Sequence, residues 1–154
     1  MTVVAEFQME EFAYPAILAR AREGGFLISF PDVPEALTQG DDIAESLVRA
    51  VDALETALEF YTDAGKPLPR PSVPKKGQFV VRPPALSCMK LAVYSAMVTL
   101  QIRKTDLARR LGWHLMQVDR LLNLRHSSRV DQVETALVSL GRQLSIRVLS
   151  AATT

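Results

Sequence analysis

The chain has almost no side chains of the kind that staple or metallate a fold. One cysteine, Cys88, in 154 residues excludes an internal disulfide and a cysteine-based metal site. Set among Leu86, Met89 and Val93, it reads as a small buried side chain. The two histidines, His114 and His126, lack the cysteine or aspartate spacing of a zinc site or a catalytic triad, and both are expected near the surface or beside phosphate. No apolar run approaches the ~20 residues that span a bilayer. The N-terminal stretch, with Glu6, Glu10 and Glu11, has neither the basic start nor the apolar segment of a secretory leader. A cytoplasmic protein with no membrane partner, no cofactor and no metal is therefore expected. Its 48% hydrophobic content is still ample for packed cores.

The net charge of +1 conceals a segregation. Residues 1–83 carry 8 basic and 13 acidic side chains, whereas residues 84–154 carry 10 basic and 4 acidic ones. Such a split suits a chain whose second half meets a polyanion and whose first half meets something basic.

Proline marks the joint between the halves. Pro67, Pro69, Pro71 and Pro74 each fix φ and lack an amide donor, so Gly65 to Gly77 reads as an extended, solvated connector, with Pro83-Pro84 as a second break. Ahead of it, Tyr14 to Leu18 and Phe26 to Phe30 flank Arg22-Glu23-Gly24-Gly25 as two antiparallel strands joined at glycines suited to a tight turn. Ala36 to Gln39 is a third strand candidate, after a bend at Asp32-Val33. Ile43, Leu47, Ala50, Val51, Leu54, Leu58 and Tyr61 recur at spacings of three and four, which predicts a helix from 42 to 63. Asp42 and Glu45 have the spacing of a capping box at its start. Gln78 to Arg82 is a strand candidate returning to the same sheet.

Beyond Pro84 the periodicity predicts helices near 85–99, 106–111, 115–122 and 130–140, with Gly141 as the stop. Leu144-Ser145-Ile146-Arg147-Val148 alternates as a terminal strand would, and its unpaired edge makes it a candidate for dimer contact. The fold class is thus α+β. A small antiparallel-rich sheet and one long helix (residues 1–64 with 78–82) are joined by a linker (65–77) to an all-α unit with a candidate terminal strand (84–154).

The stretch from Lys104 to Leu122 carries the nucleic-acid reading. A helix-turn-helix needs a small residue where its helices cross, a glycine in the turn and an apolar inner face on the second helix. Ala108, Gly112, Val118 and Leu121 stand at those places, and Leu107 and Leu111 complete the inner face. Leu115, Met116, Gln117, Asp119 and Arg120 then point outward, toward a major groove. Gln117 and Arg120 are the candidate base readers, because amide and guanidinium groups each bond two edge atoms of a base. Arg103, Lys104, Arg109, Arg125 and Arg129, with Ser127 and Ser128 as neutral donors, are the candidate phosphate contacts. A dimer presenting two reading helices one duplex turn apart is expected.

From residue 14 to its end the chain resembles the HicB antitoxins of bacterial toxin–antitoxin operons. The resemblance rests on Tyr14-Pro15-Ala16-Ile17, Glu23-Gly24-Gly25-Phe26, the run from Ser29 to Gly40, Leu54 and Tyr61 on the long helix, and Leu107 to Gly112. Arg120-Leu121, Asn123-Leu124 and Ala136 to Gly141 extend it, while residues 1–13 have no recognisable counterpart. It implies a partial RNase H-like N-terminal fold that masks HicA, a small basic mRNA-cleaving toxin, and a C-terminal domain that represses the operon as an oligomer. On that basis Tyr14, Phe26, Phe30, Asp32, Glu35, Asp41, Asp42 and Glu45 are the candidate toxin contacts. The balance of 3 basic to 13 acidic side chains in residues 1–63 would steer a basic partner. Two other readings stay open: a free-standing repressor whose N-terminal unit senses a small molecule, and a metal nuclease using Asp32, Asp41, Asp42 and Glu45. Helix capping and a proline-bounded bend account for those carboxylates more simply.

Overall fold

A computed structural model describes residues 9–150; Glu6 and the other residues of 1–8 and 151–154 lie outside it. Strands β1 (Tyr14–Arg20) and β2 (Phe26–Ser29) form the expected hairpin, with Arg20 opposite Phe26 and Ile17 opposite Ser29. Gly24 and Gly25 take φ of 98° and 77°, and a Cβ on Gly25 would stand 2.5 Å from the Gly40 carbonyl oxygen. Glycine is therefore required at that turn for space as well as for conformation.

Strand β3 (Leu37–Gly40) pairs with β2, one residue later than the sequence pattern placed it. Strand β4 (Phe79–Val81) returns to the other edge of β1, Tyr14 facing Val81, which completes an antiparallel sheet of order β3-β2-β1-β4. Helix α1 (Ile43–Asp63) lies across one face of that sheet. Asp42 Oδ1 accepts from the Glu45 amide at 2.8 Å, which caps the first turn, while Glu45 Oε2 reaches past Asp42 to the Asp41 amide at 2.8 Å, one residue short of the capping box expected. Ala50, Leu54, Ala57 and Leu58 from the helix close on Tyr14, Ala16, Ile28 and Val81 from the sheet and on Phe30 just past β2. The opposite sheet face is open, leaving Ile17, Leu37 and Val80 exposed.

Helices α2 (Ala85–Leu100), α3 (Lys104–Leu111), α4 (Leu115–Leu122) and α5 (Val130–Ser139) follow, making a mixed α+β chain of four strands and five helices among the described residues. Helix α2 serves two cores. Its Leu91 joins the sheet–α1 core together with Leu124, whereas Val93, Ala96 and Met97 join Leu107, Val118, Leu121, Val133, Ala136 and Leu137 in a second one.

Two expectations are corrected. The proline-rich connector is extended but not free in solvent: the Tyr14 hydroxyl donates to the Pro69 carbonyl at 2.8 Å, the Tyr94 hydroxyl donates to the Lys66 carbonyl at 2.9 Å, and Ser72 donates through both its amide and hydroxyl to Asp32 Oδ2. Leu68 also packs on the first core. Backbone groups without ladder partners are met here by side chains from β1, α2 and the bend at Asp32, which pins the segment. Residues 144–148, expected as a strand, are irregular, because alternation yields a strand only where a second edge supplies hydrogen bonds, and no described strand pairs with it. Cys88 is half-buried, its thiol donating to the Pro83 carbonyl at 3.3 Å, and burial pushes its pKa up to about 11. No single helix among the described residues is long and apolar enough to cross a membrane.

Because α2 is common to both cores, Leu91→Ala is expected to cost about 2–5 kcal/mol and to lower the midpoint of one cooperative transition in urea. Two separate transitions, with only one displaced, would show that the cores unfold independently.

Candidate functional site

The basic half is organised around the α3–α4 pair. Arg103 opens α3 through its amide and Nε, which both donate to Asp106 Oδ2, at 3.1 and 3.3 Å. Those bonds, the backbone one foremost, hold the Asp106 carboxyl below its ordinary range. Gly112 ends the helix at φ 64°, and the Trp113 amide reaches back to the Ala108 carbonyl at 2.9 Å. Leu107, Ala108, Val118 and Leu121 are buried between the helices, so the inner face read from the sequence is the inner face of the structure.

The outward face of α4 is exposed at Leu115, Met116, Gln117, Asp119 and Arg120, as expected. Several of these side chains are already engaged. Gln117 Oε1 accepts from the His114 amide at 2.8 Å, capping α4 and leaving its amide nitrogen for other work. Asp119 pairs with Lys104 at 2.8 Å, so that lysine's charge is partly compensated. The Arg120 guanidinium touches Met116 Sδ at 3.6 Å and stays exposed. A notch of about 140 Å³ separates α4 from the turn at His126 and Ser128, with Arg120, His126 and Gln132 among its walls. Ser128 Oγ lies 3.2 Å from His126 Nδ1, and Ser127 is exposed. Arg103, Arg109 and Arg129 keep 81%, 78% and 76% of their side-chain surface in solvent, enough for phosphate contact despite their ion pairs.

Arg125 is engaged within the chain itself. Expected at a phosphate, it instead donates to Asp52 Oδ1 at 3.2 Å, Glu59 Oε2 at 3.3 Å and Thr56 Oγ1 at 2.6 Å, all on α1. Glu55 Oε2 stands 3.9 Å away, and its other oxygen accepts from the buried Ser87 hydroxyl. The hydrogen bond to Asp52, ahead of that to Glu59, raises the guanidinium pKa. Lys90 is a site residue that the sequence pattern did not single out. Only 1% exposed, it donates to the carbonyls of Arg120, Asn123 and His126 at 3.1, 2.7 and 2.6 Å, and burial pulls its pKa down to about 8. It ties the last turn of α4 and the following loop to α2. A lysine at an inward position of an apolar helix was the available signal.

The candidate toxin contacts divide. Tyr14 and Phe30 are corrected: at 0% and 2% exposure they are core, out of reach of a partner. Phe26 is half-buried, with Arg20 6.0 Å over its ring. Asp32 holds Ser72, Glu35 accepts from the Tyr61 hydroxyl at 2.9 Å, and Asp42 caps α1. Glu45 pairs with Arg49 at 2.6 Å, and its carboxyl is lowered first by the Asp41 amide and then by Arg49. Asp41 is exposed. The acidic surface therefore exists, but most of its members also hold the local fold. Among the described residues no group of three His, Cys, Asp or Glu side chains is placed to hold a metal ion.

Lys90→Met, which keeps the apolar stem and removes the donors, should leave part-buried carbonyls unsatisfied at a cost of about 1–3 kcal/mol. Denaturant titration with hydrogen exchange on residues 120–128 checks this. Unchanged protection there would show that the ammonium does not order the loop.

Comparison with known proteins places this architecture. The family model described as HicB_like antitoxin of bacterial toxin-antitoxin system matches residues 13–92, which span the sheet, α1, the connector and the first half of α2. Antitoxin HicB of Escherichia coli K12 is 38% identical over 133 residues, covering 86% of this chain and 96% of the relative. Antitoxin HicB 1 of Photorhabdus laumondii is 37% identical over 142 residues, 92% and 90% of the two chains. Antitoxin HicB of Pseudomonas fluorescens is 35% identical over 137 residues, 88% and 94% of the two. With a family model matching more than half its length and relatives of this identity aligned over most of both chains, the chain belongs to the HicB-like antitoxins of bacterial toxin–antitoxin systems.

Proposed function

We propose that this antitoxin neutralises a HicA-type mRNA-cleaving toxin through its sheet-and-α1 unit, a partial RNase H-like fold, and represses its own operon through α3 and α4 acting as a helix-turn-helix on operator DNA. The observation that carries the second half is the exposed outer face of α4, where Gln117 and Arg120 project from a helix whose other side is sealed by Val118 and Leu121. A helix so placed, with arginines around it, suits a major groove flanked by phosphates. Arg120 is the principal base reader and Gln117 a secondary one, since its oxygen caps the helix. Leu115 and Met116 offer apolar contact to thymine methyl groups, and Asp119 orients Lys104. Arg103, Lys104, Arg109, Arg129, Ser127 and Ser128 give register on the backbone.

Residues 1–64 with 78–82 form the toxin-binding domain and 84–154 the DNA-binding one, joined through 65–77. Asp32, Glu35, Asp41, Asp42, Glu45 and Phe26 lie at or near the surface that steers a basic toxin toward the domain. The protein acts in the cytoplasm, without catalysis of its own, and as at least a dimer. The exposed apolar residues Ile146 and Val148 near its C-terminal end are available to a second copy.

Binding to the chain's own promoter, measured against an unrelated duplex, tests the repressor half. Arg120→Ala should cut discrimination by about 1–3 kcal/mol, roughly fivefold to 150-fold, whereas Arg103→Ala should weaken both duplexes alike and flatten the salt dependence. Equal effects of the two changes would remove Arg120 from base reading. Co-expression with the toxin of the same operon tests the antitoxin half, growth rescue and co-purification being the expected results.

A further inference from the structure

A cleft of about 890 Å³ lies between the C-terminal half of α1 and the helices α2 to α4, and its walls carry opposite charge. Glu59 and Asp63 contribute one wall; Arg103 and Lys104, the latter paired with Asp119, contribute the other. On α1, Asp52, Glu55, Glu59 and Asp63 recur at spacings of three and four, so they form a single stripe along the helix. That stripe faces the basic half of the molecule, because Arg125 reaches Asp52 and Glu59 from the loop that follows α4. The same loop carries Ser127 and Ser128 and borders the notch beside Arg120. One surface thus holds the arginines and hydroxyls suited to duplex phosphates, and a row of carboxylates is fastened against its edge.

We propose that the α1 carboxylate stripe is an autoinhibitory contact, an internal substitute for the DNA backbone that occupies Arg125 and sets negative charge beside the binding surface. Carboxylate and phosphate are alternative anionic partners for one guanidinium fork. Arg125 is 45% exposed on its side chain and Asp52 73%, so the pair lies in high dielectric and exchanges readily when a stronger anion arrives. Charges within about 8 Å, the screening length at physiological salt, act on an approaching phosphate, which brings Glu59, 3.3 Å from Arg125 Nε, into play as well. Glu55 has another role. At 11% exposure and bonded to Ser87, it anchors the stripe to α2 and remains in place when Arg125 departs.

The inference rests on the DNA-binding reading, and one set of measurements separates the two. Affinity of the full chain for its own promoter duplex is followed by fluorescence anisotropy over a range of salt concentrations. Asp52→Asn with Glu59→Gln should tighten binding roughly tenfold at physiological salt and steepen the log–log salt slope by about 0.9, one additional phosphate contact. Glu11→Gln with Glu23→Gln makes the same change in net charge at exposed carboxylates away from the cleft, and should alter affinity less than twofold. In an Arg125→Gln background the gain from neutralising the stripe should largely disappear. Should the double variant fold poorly by circular dichroism, Asp52→Asn alone suffices, with a smaller gain of the same kind. A gain no larger than the charge control, an unchanged salt slope, or a full gain without Arg125 would each overturn the autoinhibitory contact while leaving DNA binding intact. If neither the natural chain nor its variants bind the duplex at low salt, the repressor reading falls and the inference falls with it.

Discussion

Helix α2 is buried from two sides, and the arrangement of the molecule follows from that. Leu91 completes the core beneath the sheet, while Val93, Ala96 and Met97 complete the one beneath α3 to α5. A helix so enclosed cannot tilt to suit one core without opening the other, because interiors packed at crystal-like density transmit displacement rather than absorb it. Its lysine adds a polar constraint of the same sense. Three backbone carbonyls at the end of α4 and in the next loop converge on the Lys90 ammonium, a charge that would be untenable in the interior without them. The position of the outward face of α4 is therefore set from within, by a group that no ligand would touch.

Charge is distributed with equal economy. The acidic first half and basic second half are not held apart by the linker. They meet along α1, where Arg125 joins Asp52, Thr56 and Glu59. Isolated exposed pairs of this kind contribute about 0–1 kcal/mol, but here the network includes a nearly buried Glu55 that is itself held by Ser87. The connector is drawn into the same economy, since Tyr14, Tyr94 and Asp32 each fasten a part of it. A protein belonging to an antitoxin family thus presents its two chemically distinct faces from a common frame.

Local pattern carried the secondary structure well. The three-and-four periodicity of α1, the Gly24-Gly25 turn and the Gly112 stop were all legible, because each depends on neighbours in the chain and on backbone conformations open to few residues. The inner face of α3 and α4 was legible for the same reason. Among the candidate partner contacts, Tyr14 and Phe30 were named through the resemblance alone, yet Tyr14 points inward from β1 and Phe30, just past β2, packs into the same core under α1. The terminal alternating run failed in the opposite way, since a strand requires a partner edge that no sequence window contains.

Sequence alone located the five helices, the four strands of the sheet, the turns between them and the segregation of charge, since those properties belong to stretches of a few residues. Tertiary structure decided which of the polar groups remain available. Arg125 and Asp52 are 73 residues apart, Lys90 and His126 36, and Tyr14 and Pro69 55. Whether an arginine meets a phosphate or a carboxylate, and whether a lysine faces water or three carbonyls, depends on separations that packing brings to a few ångströms, and no periodicity in the chain encodes them.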